Sequence, residues 1–152
     1  MPGVTKRKQR LAALKKALTS ARALNALEKA RALIPDDGAG AQQVVVYGFA
    51  CLLEASSAGL SILFDRFDDD ELERIGSSLE AIGALQTLAA FRKLQRAFVS
   101  AVVGGRDRFD AAEWIAARPE SRRIDRDAKA HSTEIEEKLL AFCKAHVEQL
   151  AA

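Results

Sequence analysis

EASSAGLSILFDRFDDDELERIGSSLEAIGA, residues Glu54 to Ala84, joins the end of an apolar helix to a small-residue turn, an acidic knot and a second helix. Asp68-Asp69-Asp70-Glu71 puts carboxylates where a helix begins, a favourable place beside its free N–H groups and dipole. Leu72, Ile75, Leu79 and Ile82 then recur at three- and four-residue spacing, and Gly83 follows as a C-terminal cap. Ser56-Ser57-Ala58-Gly59 breaks the preceding helix, and Leu60 to Phe64 starts a short one. The fold therefore reads as helices joined by tight turns.

Upstream, Gln42 to Ser57 includes the longest apolar run, Val44 to Leu53. Its β-branched start resembles a strand, but no partner strand exists elsewhere, and a helix apolar on all sides is a central one. The run is about half the length a membrane span needs. Thr5 to Leu33 is helical, with Leu11, Leu14, Leu18 and Ala21 on one face and a break or bend near Thr19–Ser20. Pro35-Asp36-Asp37-Gly38 stops it. Downstream, Leu85 to Val103 is a helix ended by Gly104-Gly105, with Leu88, Phe91, Leu94, Phe98 and Val102 inward. Asp110-Ala111-Ala112-Glu113 has capping-box spacing with Asp110 as the cap, and Arg118-Pro119 closes that short helix. A last long helix, Ser121 to Leu150, aligns Ile124, Ala128, His131, Ile135, Leu139, Phe142, His146 and Leu150. The expectation is an all-α, single-domain, orthogonal or irregular bundle of about six to seven helices. Residues 1–38 form a basic arm packed on or extending from a core of residues 39–152.

Three prolines, nine glycines and abundant Ala, Leu, Glu and Arg favour helix over strand. The net charge of +2 conceals an asymmetry. Residues 1–34 hold nine Lys and Arg against Glu28 alone, a net +8, and the remainder is −6. Such a split speaks of partners or self-association rather than of fold. No apolar signal-peptide core stands at the N-terminus, so a cytoplasmic protein is expected. Cys51 and Cys143 read as buried free thiols of a reducing compartment.

Candidate sites divide by chemistry. The knot Asp65, Asp68, Asp69, Asp70, Glu71 and Glu73 fails as a calcium loop, lacking its glycine and terminal bidentate Glu. It reads as helix-capping carboxylates, or else as an acidic patch for a partner. Asp127, His131 and Glu134 share a helical face, and Cys143 precedes His146 by one turn, yet no second His-bearing helix completes a metal site. Nucleophile and nucleotide fingerprints are missing. No catalytic residue, metal or cofactor is assigned. Lys6, Arg7, Lys8, Arg10, Lys15 and Lys16 could contact phosphates, but no aromatic residue accompanies them for base stacking.

A resemblance then enters. Bacterial DNA-mimic proteins, with the wider domain-of-unknown-function family around them, bear Glu-Val-Asn-Asn-Gly-Gly-Phe-x-Gln-Phe-Phe between two helices. This chain is similar at Glu54-Ala55-Ser56-Ser57-Ala58-Gly59-Leu60-Ser61-Ile62-Leu63-Phe64, with the same spacing. The family's Leu-Glu-Ala-Ile-Gly-Ala stands intact at Leu79 to Ala84, and Ile135 to His146 resembles its closing helix. The likeness spans roughly residues 42–147. Serines and alanine replace the Asn-Asn-Gly element, and Ile62 replaces the Gln. Glu54, Ser56, Ser57, Gly59, Phe64, Leu79 and Gly83 are accordingly read as structural, with Glu54 accepting N–H groups of the following helix and Gly59 allowing close approach. The resemblance implies a non-enzymatic protein-interaction module, inhibitory or regulatory, whose partner is of the DNA-binding-regulator or toxin class. Its acidic surface is weakened by Arg92, Lys93, Arg96, Arg122, Arg123 and Arg126. A homodimer is one alternative. Nucleic-acid binding through the basic helix is another, and not the favoured one. No membrane partner is expected.

Overall fold

A computed structural model describes the backbone from Pro2 to Ala152 and the side chains from Thr5 onward; Met1, the first residue of the expected arm, lies outside the described residues. Every regular element is helical: α1 (Pro2–Ala17), α2 (Ala23–Ala32), α3 (Ala41–Ser57), α4 (Leu63–Arg66), α5 (Asp69–Ile82), α6 (Leu85–Val103), α7 (Arg108–Ala117), α8 (Pro119–Arg126), α9 (Ala128–Ala145) and α10 (Val147–Leu150). A 3₁₀ turn, Leu60–Ile62, leads into α4. The all-α expectation holds.

Ten helical segments replace the six to seven expected, and the difference has local causes. Leu18 to Arg22 separates α1 from α2 where the apolar stripe drifts. The expected last helix is three pieces, bent at Asp127 and at His146. Neither bend contains proline or glycine. The cap of α7 is also displaced: Asp107, not Asp110, accepts the N–H of Asp110 at 2.8 Å.

The centre is α3. It is uncharged until Glu54, and α2, α5, α9 and α10 pack around it. Val45, Phe49, Cys51, Leu52 and Ala55 face Leu72, Ile75 and Leu79 of α5 and Ile135, Leu139 and Cys143 of α9 within one continuous core. A second layer stacks Phe64 on Phe91 (5.5 Å between ring centres) and on Phe98 (5.3 Å). Burying side chains of this size contributes roughly 1.5–3 kcal/mol each. Leu14, Leu18, Leu27, Ala30 and Ile34 of α1, α2 and the turn after them join the same core. The basic segment is therefore packed on the body.

Two glycines end elements within the 54–84 stretch. Gly83 caps α5 at φ +77°, and the N–H of Ala84 returns to the carbonyl of Leu79 at 3.0 Å. Gly59 sits at φ +93°, ψ 176°, a region open essentially to glycine alone. A Cβ on Gly59 would also meet the Asp125 carboxyl carbon at 2.6 Å, whereas one on Gly83 would meet nothing within 4 Å. Gly59→Ala should thus destabilise by about 2 kcal/mol or more, and Gly83→Ala by the smaller cost of φ strain alone, about 1 kcal/mol. Chemical denaturation of both variants measures this, and equal losses would remove the role given to the Asp125 contact.

Candidate interaction surface

The acidic knot is largely committed to holding α5 in place. Asp68 accepts the Glu71 N–H at 2.8 Å, and Glu71 accepts the Asp68 N–H at 3.1 Å, a reciprocal capping box. Asp69 pairs with Arg108, whose second nitrogen takes the Phe67 carbonyl at 3.1 Å and closes the end of α4. Asp65, Asp70 and Glu73 are left exposed, and Arg66 and Arg74 stand in the same stretch. Arg74 lies over the Tyr47 ring and donates to its hydroxyl at 3.2 Å.

The motif residues are all placed structurally, with one change of role. Ser56 and Ser57 donate back to the carbonyls of Leu52 (2.7 Å) and Leu53 (3.0 Å) in the last turn of α3. Phe64 and Leu79 are buried. The Glu54 carboxylate accepts from Arg66 at 3.1 Å, and its main-chain carbonyl accepts the N–H groups of Ala58 and Gly59. Among the described residues its carboxylate takes a guanidinium N–H of the following helix and no main-chain N–H. Asp125 of α8 takes the main-chain one: it accepts the Ser61 N–H at 3.1 Å and the Ser61 hydroxyl. The expected Glu54 role is thus corrected, because α8 packs against the 3₁₀ turn and Asp125 supplies the acceptor there.

A similar cap from afar explains the Asp127/His131/Glu134 face. Helix α6 starts after Ala84, which has no capping side chain. Glu134 of α9 accepts the N–H groups of Gln86 (3.2 Å) and Thr87 (2.7 Å) instead. His131 Nδ1 lies 3.2 Å from the Thr87 hydroxyl. The sequence offered these groups as metal donors; the hydrogen bonds of His131 and Glu134 go to the start of α6, and Asp127 is exposed at the bend before α9. Among the described residues no three His, Cys, Asp or Glu side chains converge on a metal site. Sequence reading missed the capping roles of Asp125 and Glu134 and the buried Gln42, which donates to the carbonyls of Leu150 and Ala152 at 3.0 Å each. No local pattern signals them, since each partner is distant in sequence.

Three of the open surfaces bear on a partner. A shallow cleft of about 390 Å³ between α6, α8 and α9 sets Lys93, Arg123, Glu120 and Asp127 around Ala89, Ala90 and Ile124, with both signs of charge. The exposed face of α1 bears lysines. The third is the α6–α7 corner. Val99 and Val103, one turn apart, are 52 % and 81 % exposed, and Phe109 at the start of α7 is 66 % exposed. Gly104-Gly105 brings Arg106 back over the Trp114 ring at 5.1 Å, and Arg118 lies over the same ring at 4.6 Å. Each such stacking is worth about 0.5–1 kcal/mol at an exposed site. Arg106 also pairs with Asp110 at 3.2 Å, while Arg118 has no ion pair among the described residues. Among the described residues, no helix is long and apolar enough to cross a membrane. Comparison with protein-family models, curated proteins and solved structures finds no match.

The thiols face the core. Burial pushes both Cys51 and Cys143 up to about 12, with Glu54 adding to the shift at Cys51. Unfolded thiols ionise near 9, so the unfolded state loses protons first and stability falls as pH rises from about 9 toward about 12. Thiol-specific labelling at about pH 8 should modify neither cysteine until denaturant is added. A second comparison checks the reassigned cap. Asp125→Asn should cost about 1–3 kcal/mol, and Glu54→Gln under about 1 kcal/mol because its partner Arg66 is 56 % exposed. Urea titration would reverse the assignment if Glu54→Gln proved the more damaging.

Proposed function

We propose that this chain is a non-enzymatic protein-interaction module that docks an acidic protein surface on its α6–α7 corner. The observation behind this reading is that Val99 and Val103 are exposed at the end of α6, just before the turn whose Arg106 is stacked with Arg118 on Trp114. The exposed Phe109 lies on the other side of α7, beside Asp65, Asp68 and Glu71. Tryptophan and arginine are among the side chains most enriched in binding hot spots, and exposed apolar area beside them marks an interaction patch. The arginines are already ordered by the indole, so little side-chain entropy is lost when a carboxylate engages them. Arg118 has a guanidinium to offer, and Val103 an apolar side chain to cover.

The resemblance to DNA-mimic scaffolds adds that the contact inhibits or regulates its partner. The sign of charge differs from mimicry, however. Three of the six acids in the knot are engaged in capping or pairing, and the rest are interleaved with Arg66 and Arg74. The corner itself carries both signs, Arg106, Arg108 and Arg118 against Asp107, Asp110 and Glu113. Arg118 is its one arginine without an ion pair among the described residues, which suits a partner that sets a carboxylate beside an apolar side chain.

The test begins with immobilised protein and cell extract, with retained proteins identified and purified. Val103→Asp and Arg118→Glu should each weaken the identified partner by about 30-fold, equivalent to about 2 kcal/mol. Circular dichroism should stay unchanged, since both side chains lie at the surface. Failure to retain any protein, or equal affinity of the double variant and the wild type, overturns the reading.

A further inference from the structure

Helix α1 separates its arginines from its outward lysines. Arg7 and Arg10 stand at the edge turned toward the body and reach the main-chain carbonyls of Glu148 (3.4 Å) and Ala152 (2.7 Å). Leu14, Ala17 and Leu18 bury the same side. At 3.6 residues per turn, Lys16 points roughly opposite Leu14, Lys8 and Lys15 lie together on one flank about 100–120° from it, and Lys6 lies on the other flank. Lys6, Lys8, Lys15 and Lys16 are all exposed. None of the four is in an ion pair among the described residues. The helices packed on α1 are α2 and α10. Their acids, Glu28 and Glu148, are exposed and likewise unpaired.

We propose that this lysine face binds the phosphate backbone of double-stranded nucleic acid without reading its sequence. The arginine clamps fix the helix, so the lysines form a set array rather than a loose tail. Lys8 and Lys15 are about 10 Å apart along the axis, near enough to engage successive phosphates of one duplex. Between them lie Gln9 and Ala12, with no aromatic ring to stack an unpaired base. No large apolar side chain points outward to enter a lipid interface, which sets this face apart from an amphipathic membrane helix. The crowded like charges repel one another, and a polyanion relieves that repulsion while releasing its counterions.

Fluorescence anisotropy of a short labelled DNA duplex tests this across a salt series. Wild-type affinity should fall with salt at a log–log slope of about −3, the signature of three to four neutralised phosphates. Lys8→Gln with Lys15→Gln and Lys16→Gln should weaken low-salt binding at least about tenfold and flatten the slope by about 2–3. The corresponding lysine-to-arginine triple variant should retain binding, and circular dichroism should show both variants folded. Arg118→Glu should bind the duplex as wild type does, which keeps this surface distinct from the α6–α7 corner. Absence of duplex binding at the lowest salt overturns the proposal. So does a triple glutamine variant that binds like wild type, or preference for single-stranded DNA or for anionic phospholipid vesicles over the duplex.

Discussion

The close passage of α3 against α9 is the constraint on which the rest of the bundle depends. A Cβ placed on Gly48 would lie 3.2 Å from Leu139 Cδ1, so even alanine there would require the Leu139 side chain to give by a few tenths of an ångström. A glycine in mid-helix costs about 0.5–1 kcal/mol against alanine. The core offsets that, because α3 has no polar stripe to turn to water and must be surrounded. Cys51 and Cys143 lie in the same layer, fully buried, which accounts for their suppressed ionisation. With α3 enclosed by α2, α5, α9 and α10, the outer helices α6, α7 and α8 pack on a centre already formed.

Enclosing one helix with many short ones multiplies helix ends, and each end has unpaired N–H or C=O groups. This protein satisfies several of them from across the fold. Asp125 closes the turn at Ser61, Glu134 the start of α6, Gln42 the end of α10 and Arg108 the end of α4. The bends at Asp127 and His146 belong to the same arrangement. A straight helix through this region would hold Asp125 and Glu134 in one fixed register. The bend at Asp127 lets the first face the 3₁₀ turn while the second faces α6. The bend at His146 brings the carbonyls of Leu150 and Ala152 within reach of Gln42.

This division explains what could be read from the chain. Where the cap is written beside the helix it closes, the sequence was mostly legible: Asp68 with Glu71, Gly83, and the bounds of α6 from Leu85 to Val103. Helix α7 is the exception, since Asp107 caps it in place of Asp110. The central position of α3 followed from its lack of charge. Where the cap comes from another helix, the sequence gives no local sign. Glu54 seemed the natural acceptor for the turn after α3, yet Asp125 holds it from 64 residues away. Glu134 and His131 looked like donors for a metal because their spacing shows a shared face but not what that face meets. The breaks in the last helix escaped notice because the apolar stripe continues through Asp127 and His146 without proline or glycine. The α6–α7 corner was illegible for a related reason. Val99 and Val103 belong to an apolar helix, and only the packing shows that they face outward.

Charge was the other partial guide. Counting Lys with Arg overstated how much positive charge α1 has available, since Arg7 and Arg10 are engaged on carbonyls. Counting carboxylates overstated the knot in the same way, since Asp68, Glu71 and Asp69 are engaged. The planar guanidinium fits carbonyls and ring faces, whereas the ammonium is a strongly hydrated point charge. Arginine accordingly does the internal holding here at Arg7, Arg10, Arg31 and Arg108, and lies over rings at Arg74, Arg106 and Arg118. Lysine mostly stays outside; Lys29, bonded to the Ser20 hydroxyl, is the exception. The asymmetry of +8 against −6 thus resolves into two kinds of surface. One is a lysine face fixed by arginines behind it. The other is an apolar corner whose arginines are ordered by a tryptophan. A partner meeting the first encounters an array of hydrated point charges and gains mainly electrostatic attraction. A partner meeting the second encounters ordered guanidiniums beside apolar area, the arrangement from which specificity is built.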